Sequence, residues 1–209
     1  MAKPAYHHGD LRRALLDAGL AVVEREGVEG LGLRAVAREA GVSHAAPYHH
    51  FADKAALVEA MAVQGFADLV ADMTRARELS GADELTGLFE TGRAYARFAL
   101  GHEELFRLMN RPELRRDSPA VVAAAQAAYD VLVAAVAAGQ RAGVVDGTDP
   151  RSVARTAWSA VHGVVVLLVD GLLAEGPGEP AGAERVGAER VVDEVLVLVG
   201  TGFVTRHPG

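Results

Sequence analysis

The sequence predicts an all-α chain, and three observations carry that prediction. Apolar residues recur at i, i+3, i+4 and i+7 through most segments, the period of one helix face. Asp, Ser and Pro open these segments and Gly closes them, as the unsatisfied amides and carbonyls of helix ends require. Half of the 209 residues are hydrophobic, with Ala, Val and Leu dominant. The segmentation gives about nine helices. Three short ones form an N-terminal helix-turn-helix domain, residues 1–55, and residues 56–209 form a larger helical body.

Residues 1–9, MAKPAYHHG, read as a mobile arm, with Tyr6, His7, His8 and Arg12 placed to touch a phosphate or the minor groove. Asp10 is the expected cap of a first helix, Leu11 to Glu26, whose stripe is Leu11, Leu15, Ala18 and Val22 and whose stop is Gly27. The second helix presents Leu33, Val36, Ala37 and Ala40 on one face and ends at Gly41. Ser43 is the expected cap of a third, from about His44 to His50. Two short helices joined by a glycine turn, the second rich in polar and aromatic residues, form a helix-turn-helix whose second member enters the DNA major groove.

Asp53 caps a longer helix from Lys54 to about Ser80-Gly81, and Asp83 opens the next, up to Gly101. A short segment follows, His102 to Met109. The polar stretch Asn110 to Pro119 reads as a loop. Ser118-Pro119 and Thr148-Asp149-Pro150 then start two helices, Ala120 to Ala142 and Pro150 to Ala174. Residues 175–183, EGPGEPAGA, are a Gly/Pro loop. The last segment, Glu184 to Val204, contains an alternating VLVLV but is too long for one strand. Val191, Val192, Val195, Leu196, Val199 and Phe203 give it a helical stripe.

Charge is divided unevenly along the chain. The net charge is -7, yet residues 1–55 hold seven basic and seven acidic groups and five of the eight histidines, leaving 14 basic against 21 acidic groups in the body. A balanced head can still bind phosphates when its bases share a face, while an acidic body discourages nonspecific contact. Cysteine is absent, which excludes disulfides, thiolate metal sites and a cysteine nucleophile. The opening residues lack the apolar core of a signal peptide, and no uninterrupted apolar run nears the roughly 20 residues of a bilayer span, so a cytoplasmic protein without a membrane partner is expected. His102, His162 and His207 lack metal-ligand spacing, and there is no nucleophile elbow or phosphate loop. Neither an enzyme nor a cofactor is expected.

The segment LRAVAREAGVSHAAPYHHFADKAALV, with its glycine turn, Tyr48, Phe51 and Lys54, resembles the TetR family of transcriptional regulators. Trp158, His162 and Gly163 in AWSAVHG are similar to the C-terminal signature of a TetR subgroup named for Trp, His and Gly. The resemblance implies that Arg34, Ser43, His44, Ala45 and Ala46 lie near base edges, and that Tyr48, His49, His50 and Lys54 lie near phosphates or the groove rim. Their chemistry suits those roles: Arg and His donate to guanine acceptors, Ala meets a thymine methyl, and Tyr and Lys bind phosphate oxygens. The competing reading of this polar set is a solvated helix face. Pro47 departs from the family, which usually has a helix former there. Its missing amide removes an intrahelical bond and pushes Ala46 from helical angles, so the recognition helix starts late or tightens.

The same resemblance implies a homodimeric repressor on a palindromic operator, released by a small, mostly apolar effector. Specificity from so short a helix needs two half-sites about one turn apart. The most apolar helices, about 150–174 and 184–204, are the expected four-helix dimer interface. Tyr95, Phe98, Phe106, Met109, Tyr129, Trp158 and His162 are candidates to line an effector pocket, His162 having a satisfied core histidine as its rival reading. Sequence leaves open an activator, a corepressor-dependent repressor, and a helical protein-interaction module.

Overall fold

The computed structural model describes residues 8–147, 149–173 and 183–203. They form nine α-helices and one 3-10 turn, with no strand among the described residues. The helices are α1 His8–Gly30, α2 Leu33–Glu39, α3 Lys54–Leu79, α4 Glu84–Gly101, α5 Glu103–Met109, α6 Pro112–Asp117, α7 Pro119–Arg141, α8 Pro150–Val169 and α9 Ala183–Phe203; the 3-10 turn is Ala46–His49. The all-α expectation holds. The expected arm residues Tyr6 and His7, and the Gly/Pro loop up to residue 182, lie outside the described residues.

Local chemistry sets the helix starts. Asp53 accepts from the Ala56 amide at 2.8 Å, Asp83 from the Thr86 amide at 3.0 Å, and the Ser118 hydroxyl from the Val121 amide at 3.1 Å. Asp149 accepts from the amides of Arg151 and Ser152 and from the Ser152 hydroxyl at 2.6 Å. Each of the amide bonds satisfies one of the donors that a first helical turn leaves without a partner. At the other ends, Gly81, Gly143 and Gly171 adopt positive φ, which lets the chain leave the helix at little steric cost.

Five local expectations are corrected. Helix α1 begins at His8, so Asp10 lies inside it; the expected stop at Gly27 stands as a non-helical break (φ 69°, ψ 175°), after which a short helical stretch runs on to Gly30. The third helix is a single 3-10 turn, late and tightened as Pro47 leads one to expect, but it is capped by Ala45 without a side-chain bond, so Ser43 is not its side-chain cap. Ala46 is the first residue of that turn, not a residue expelled from it. The polar loop 110–119 contains α6, started by Pro112 and favoured by Glu113 in its first turn and Arg115 and Arg116 in its last. Helix α8 stops at Val169: the amides of Gly171 and Leu172 turn back to the carbonyls of Leu168 and Leu167.

The chain packs as two compact units. The first holds the described residues up to Phe66 together with His102–Ala125, in which α1 packs on α2 and α5. Its interior includes Leu15, Val22 and Val23 of α1, Val36 of α2, Leu57 of α3, and Leu108 and Met109 of α5, all essentially without exposure. Burial at this level is worth about 1.5–3 kcal/mol per large side chain.

The second unit holds Ala67–Gly101 and the described residues from Gln126 onward, and in it α4, α8 and α9 pack pairwise. Val136 of α7, Val145, and Val153 and Ala154 of α8 form a core cluster. Helices α7 and α8 are long and apolar enough by composition to cross a membrane, but here they contribute to this packed core. Two close approaches bind α9 to α4: Gly92 against Leu196, and Gly200 against the Phe89 ring. Helix α3 is uninterrupted from Lys54 to Leu79, its first half belonging to one unit and its second half to the other.

A Cβ at Gly139 of α7 would lie 2.7 Å from Val145 Cγ2 and 3.4 Å from its Cβ. Val145 is buried and β-branched, with little freedom to turn away. Gly139→Ala therefore sets an overpacking cost of about 1–3 kcal/mol against a helix-propensity gain of about 1 kcal/mol. The expected net loss is about 1 kcal/mol in urea unfolding. A Val145→Ala background should remove that loss.

The carboxyl of Asp149 is held below its ordinary range, first by the Ser152 hydroxyl and then by the amides of Arg151 and Ser152, against an opposing desolvation contribution. A depressed folded-state value means that the stabilisation is present above the unfolded carboxylate range and lost as pH falls through the folded value. Asp149→Ala is expected to lower the melting temperature at neutral pH. The gap to the parent should close progressively in acid below the ordinary Asp range, and a gap that stays constant there would contradict the assignment.

Candidate nucleic-acid interface

The polar surface of the head follows from the turn beneath it. In an α-helix the amide at position 47 would donate to the Ser43 carbonyl, and Pro47 has no such proton. That carbonyl is instead taken by the Ala46 amide at 3.0 Å, and the Tyr48 amide bonds Ala45 at 3.2 Å, so the spacing tightens from four residues to three. The Pro47 carbonyl then accepts from both His50 and Phe51 at 2.9 Å. Pro47 and Phe51 are buried, seating the turn on the head's interior.

This arrangement separates the nine predicted DNA residues. Arg34, Ser43, His44, Ala45, Tyr48 and His49 are exposed, Tyr48 with 53% of its surface accessible. Ala46 and His50 are half-buried, and the His50 ring lies 6.3 Å from that of Phe51. Lys54 is exposed along its stem, but its ammonium donates to the Val28 carbonyl at 3.0 Å. That bond ties the start of α3 to the chain just past the Gly27 break, leaving two further N–H groups on the ammonium.

Neighbouring bases are not equivalent. The Arg12 guanidinium stands 5.6 Å over the Phe51 ring, a cation–π distance that holds a positive charge beside the turn. Arg25 is engaged by Glu39 at 2.9 Å and by Glu26. Its guanidinium is raised above its ordinary value chiefly by the bond to Glu39, then by Glu26. Arg38, missed in the sequence reading, is exposed one turn after Arg34 on α2. The signal for it was the four-residue spacing of the two arginines.

The seven effector-pocket candidates divide between the two units. Phe106 and Met109 are buried in the first, where Met109 Sδ would lie 2.6 Å from a Cβ placed on Gly65. The other five belong to the second: Tyr95 and Phe98 on α4, Tyr129 on α7, Trp158 and His162 on α8. Four of these form a continuous aromatic cluster. The Tyr95 hydroxyl and His162 Nδ1 share a hydrogen bond of 2.6 Å. The His162 ring stacks on Trp158 at 5.0 Å and 25°, and Trp158 meets Tyr129 edge-on at 6.2 Å. The Tyr129 hydroxyl donates to the Arg151 carbonyl at 2.8 Å. Phe98 is buried. His162 Nδ1 is thus already satisfied within the protein.

Two family models match the chain: that of bacterial regulatory proteins of the tetR family over residues 15–61, and a tetracycline repressor-like C-terminal domain over residues 88–195. A Rhodococcus sp. RHA1 protein of unknown function has a solved structure 36% identical to this chain, with a TM-score of 0.79, covering 97% of this chain and all of that one. An uncharacterised HTH-type transcriptional regulator of Mycobacterium tuberculosis is 24% identical over 93% of this chain and 82% of its own length. The structure of SmeT, repressor of the Stenotrophomonas maltophilia multidrug efflux pump SmeDEF, superposes with a TM-score of 0.64 at 20% identity, covering 95% of this chain and 94% of SmeT. The first model covers the helix-turn-helix and the start of α3; the second covers more than half of the chain, including the aromatic cluster. The chain belongs to the TetR family of transcriptional regulators, which are DNA-binding transcription factors and not enzymes.

Proposed function

We propose that the chain works as a cytoplasmic homodimeric repressor that leaves a palindromic operator when a small, mostly apolar effector binds. The observation that carries the DNA-reading half is the exposure of Ser43, His44, Ala45, Tyr48 and His49 over a buried Pro47 and Phe51, with Arg34 exposed on the preceding helix. Polar groups held on so short and firmly seated a turn suit insertion into a groove. On this reading residues 1–55 are the reading head and 56–209 the sensing and dimerising body. Arg34, Ser43, His44, Ala45 and Ala46 face base edges. Tyr48 and His49 approach phosphates, the spare donors of Lys54 join them, and His50 sits at the rim.

Dimerisation is supported by what the second unit leaves uncovered. Helices α8 and α9 pack on each other, yet Val197 (51%) and Leu198 (71%) on α9 and Leu167 on α8 stay exposed, as do Leu172 and Leu173 beyond it. A two-fold pairing of these helices would bury that surface in a four-helix interface.

The effector reading rests on Tyr95, Phe98, Tyr129, Trp158 and His162, which place apolar faces and polar tips together in the second unit. Phe106 and Met109, buried in the first unit, are not part of this cluster. Moving the operator-bound fraction from 99% to 1% needs about 5.5 kcal/mol of differential affinity. The repressor role borrows from the fold that SmeT shares. Selection of bound genomic DNA, with and without cell extract, tests the whole reading. A palindrome lost on adding extract is expected, whereas a palindrome gained with extract would mean a corepressor. No binding at low salt by folded dimer would favour a protein-interaction module.

Substituting Tyr48 by Phe should weaken binding by a similar factor on every sequence, and His44→Ala should relax preference at particular base pairs by about 5–150-fold. A Tyr48→Phe variant that changes base preference while keeping affinity would reverse the two roles. Separately, Leu198→Asp should turn a dimer into a folded monomer in sedimentation, with cooperative operator binding lost. A dimer that persists unchanged would move the interface away from α9.

A further inference from the structure

We infer that Pro47 is a specificity-determining residue that touches no DNA: by imposing 3-10 pitch on the recognition turn, it selects which base pairs the exposed side chains address. The inference rests on the reading of Ala46–His49 as the groove-entering element.

The argument starts from the missing proton. An α-helical turn would take Ser43 as acceptor for position 47, and that bond cannot form. The Ser43 carbonyl is taken by Ala46 and the Ala45 carbonyl by Tyr48, both at three-residue spacing. A 3-10 turn advances about 2.0 Å and 120° per residue, against about 1.5 Å and 100° in an α-helix. Between Ala45 and Tyr48 the two geometries differ by about 60° of azimuth and about 1.5 Å of rise. The rotation is larger than a hydrogen bond to a base edge tolerates, since such bonds weaken steeply once misaligned.

Exposure along the turn matches the tighter pitch, in which residues three apart eclipse. Ala45 and Tyr48 are both exposed and share one column. Ala46 and His49 share a second, half-buried at its base and exposed at its tip. Pro47 and His50 share the third, which turns inward: Pro47 is buried, and His50 lies half-buried beside Phe51. Each outward column thus pairs one small residue with one long polar residue about 6 Å further along, close to the span of two base-pair steps. With α-helical pitch Tyr48 would leave the Ala45 column, and His50 would rotate toward the groove.

The test compares the full-length protein with Pro47→Leu, which keeps an apolar side chain of similar bulk at a buried site, and Pro47→Ala, which restores the amide with a smaller side chain. Both restore the amide at position 47 that an α-helical bond to the Ser43 carbonyl requires. Thermal unfolding and sedimentation establish that each variant is folded and assembled like the parent, and half-site preferences are then read from pools of random DNA. The expected result is a changed preference at two or more positions of each half-site, with the parent's preferred sequence bound about tenfold or more weakly and nonspecific DNA at low salt bound within about twofold. If both variants select the parent's sequence, with affinity altered by one common factor on all DNA, Pro47 only supports the fold and the inference is overturned. If the parent binds DNA but selects no sequence, the groove-reading assignment fails, and this inference with it. Should one variant unfold, the other decides by the same criterion.

Discussion

The DNA head depends on the burial of Phe51. A 3-10 turn of four residues cannot hold itself: fixing each residue costs about 1–2 kcal/mol of backbone entropy, and each net hydrogen bond returns about 1 kcal/mol. The deficit is met from below. Phe51 is 3% exposed, its amide closes the turn onto the Pro47 carbonyl, and Pro47, four residues earlier, is also buried. Burying such a ring is worth about 1.5–3 kcal/mol, more than the roughly 0.5–1 kcal/mol of an exposed cation–π contact. Arg12 above the ring therefore gains a fixed position from Phe51 more than it lends stability. On the proposed reading, the groove-facing side chains are thus carried on an apolar anchor.

What the sequence made legible was whatever local chemistry decides. Asp53, Asp83, Ser118 and Asp149 cap helices because a cap needs only a side-chain oxygen and an amide two or three residues on. Helix α6 escaped notice because a periodic pattern registers burial, and none of its residues is buried; its signals were Pro112 and the order of its charges. The end of α8 was misread for the opposite reason. Leu172 and Leu173 continue an apolar pattern, but Gly171 at φ 70° turns the chain back and leaves both exposed. The stop signal was present and was outweighed by hydrophobicity.

The site was less legible than the fold. The residue types of the recognition turn follow from motif and chemistry, and Pro47 itself announced a tighter turn. That Lys54 would spend a donor on Val28, 26 residues earlier in the chain, has no local signature. Spacing along a helix likewise cannot tell which packing unit an aromatic residue will join, so Phe106 and Met109 were grouped with Tyr95 and Trp158 although they lie in another unit. Trp158 and His162, one turn apart, share a face and stack.

That stack constrains what the proposed effector could be. Nδ1 of His162 is engaged by the Tyr95 hydroxyl at 2.6 Å and the ring is stacked on Trp158, so the cluster is closed onto itself. Prying it open forfeits one hydrogen bond and one ring pair, each about 1 kcal/mol. A half-buried polar group that loses a hydrogen bond without replacement costs about 1–3 kcal/mol more. A purely apolar molecule meets both costs and replaces neither interaction. One that carries a single donor or acceptor to His162 or Tyr95 recovers the second, and its apolar remainder can stack on Trp158 and Tyr129. Against the roughly 5.5 kcal/mol that release from DNA demands, the difference between these two molecules is large enough to decide which of them acts. On the proposed reading, specificity for the effector therefore resides in one polar group on an apolar frame, and the Tyr95–His162 pair is what it must displace.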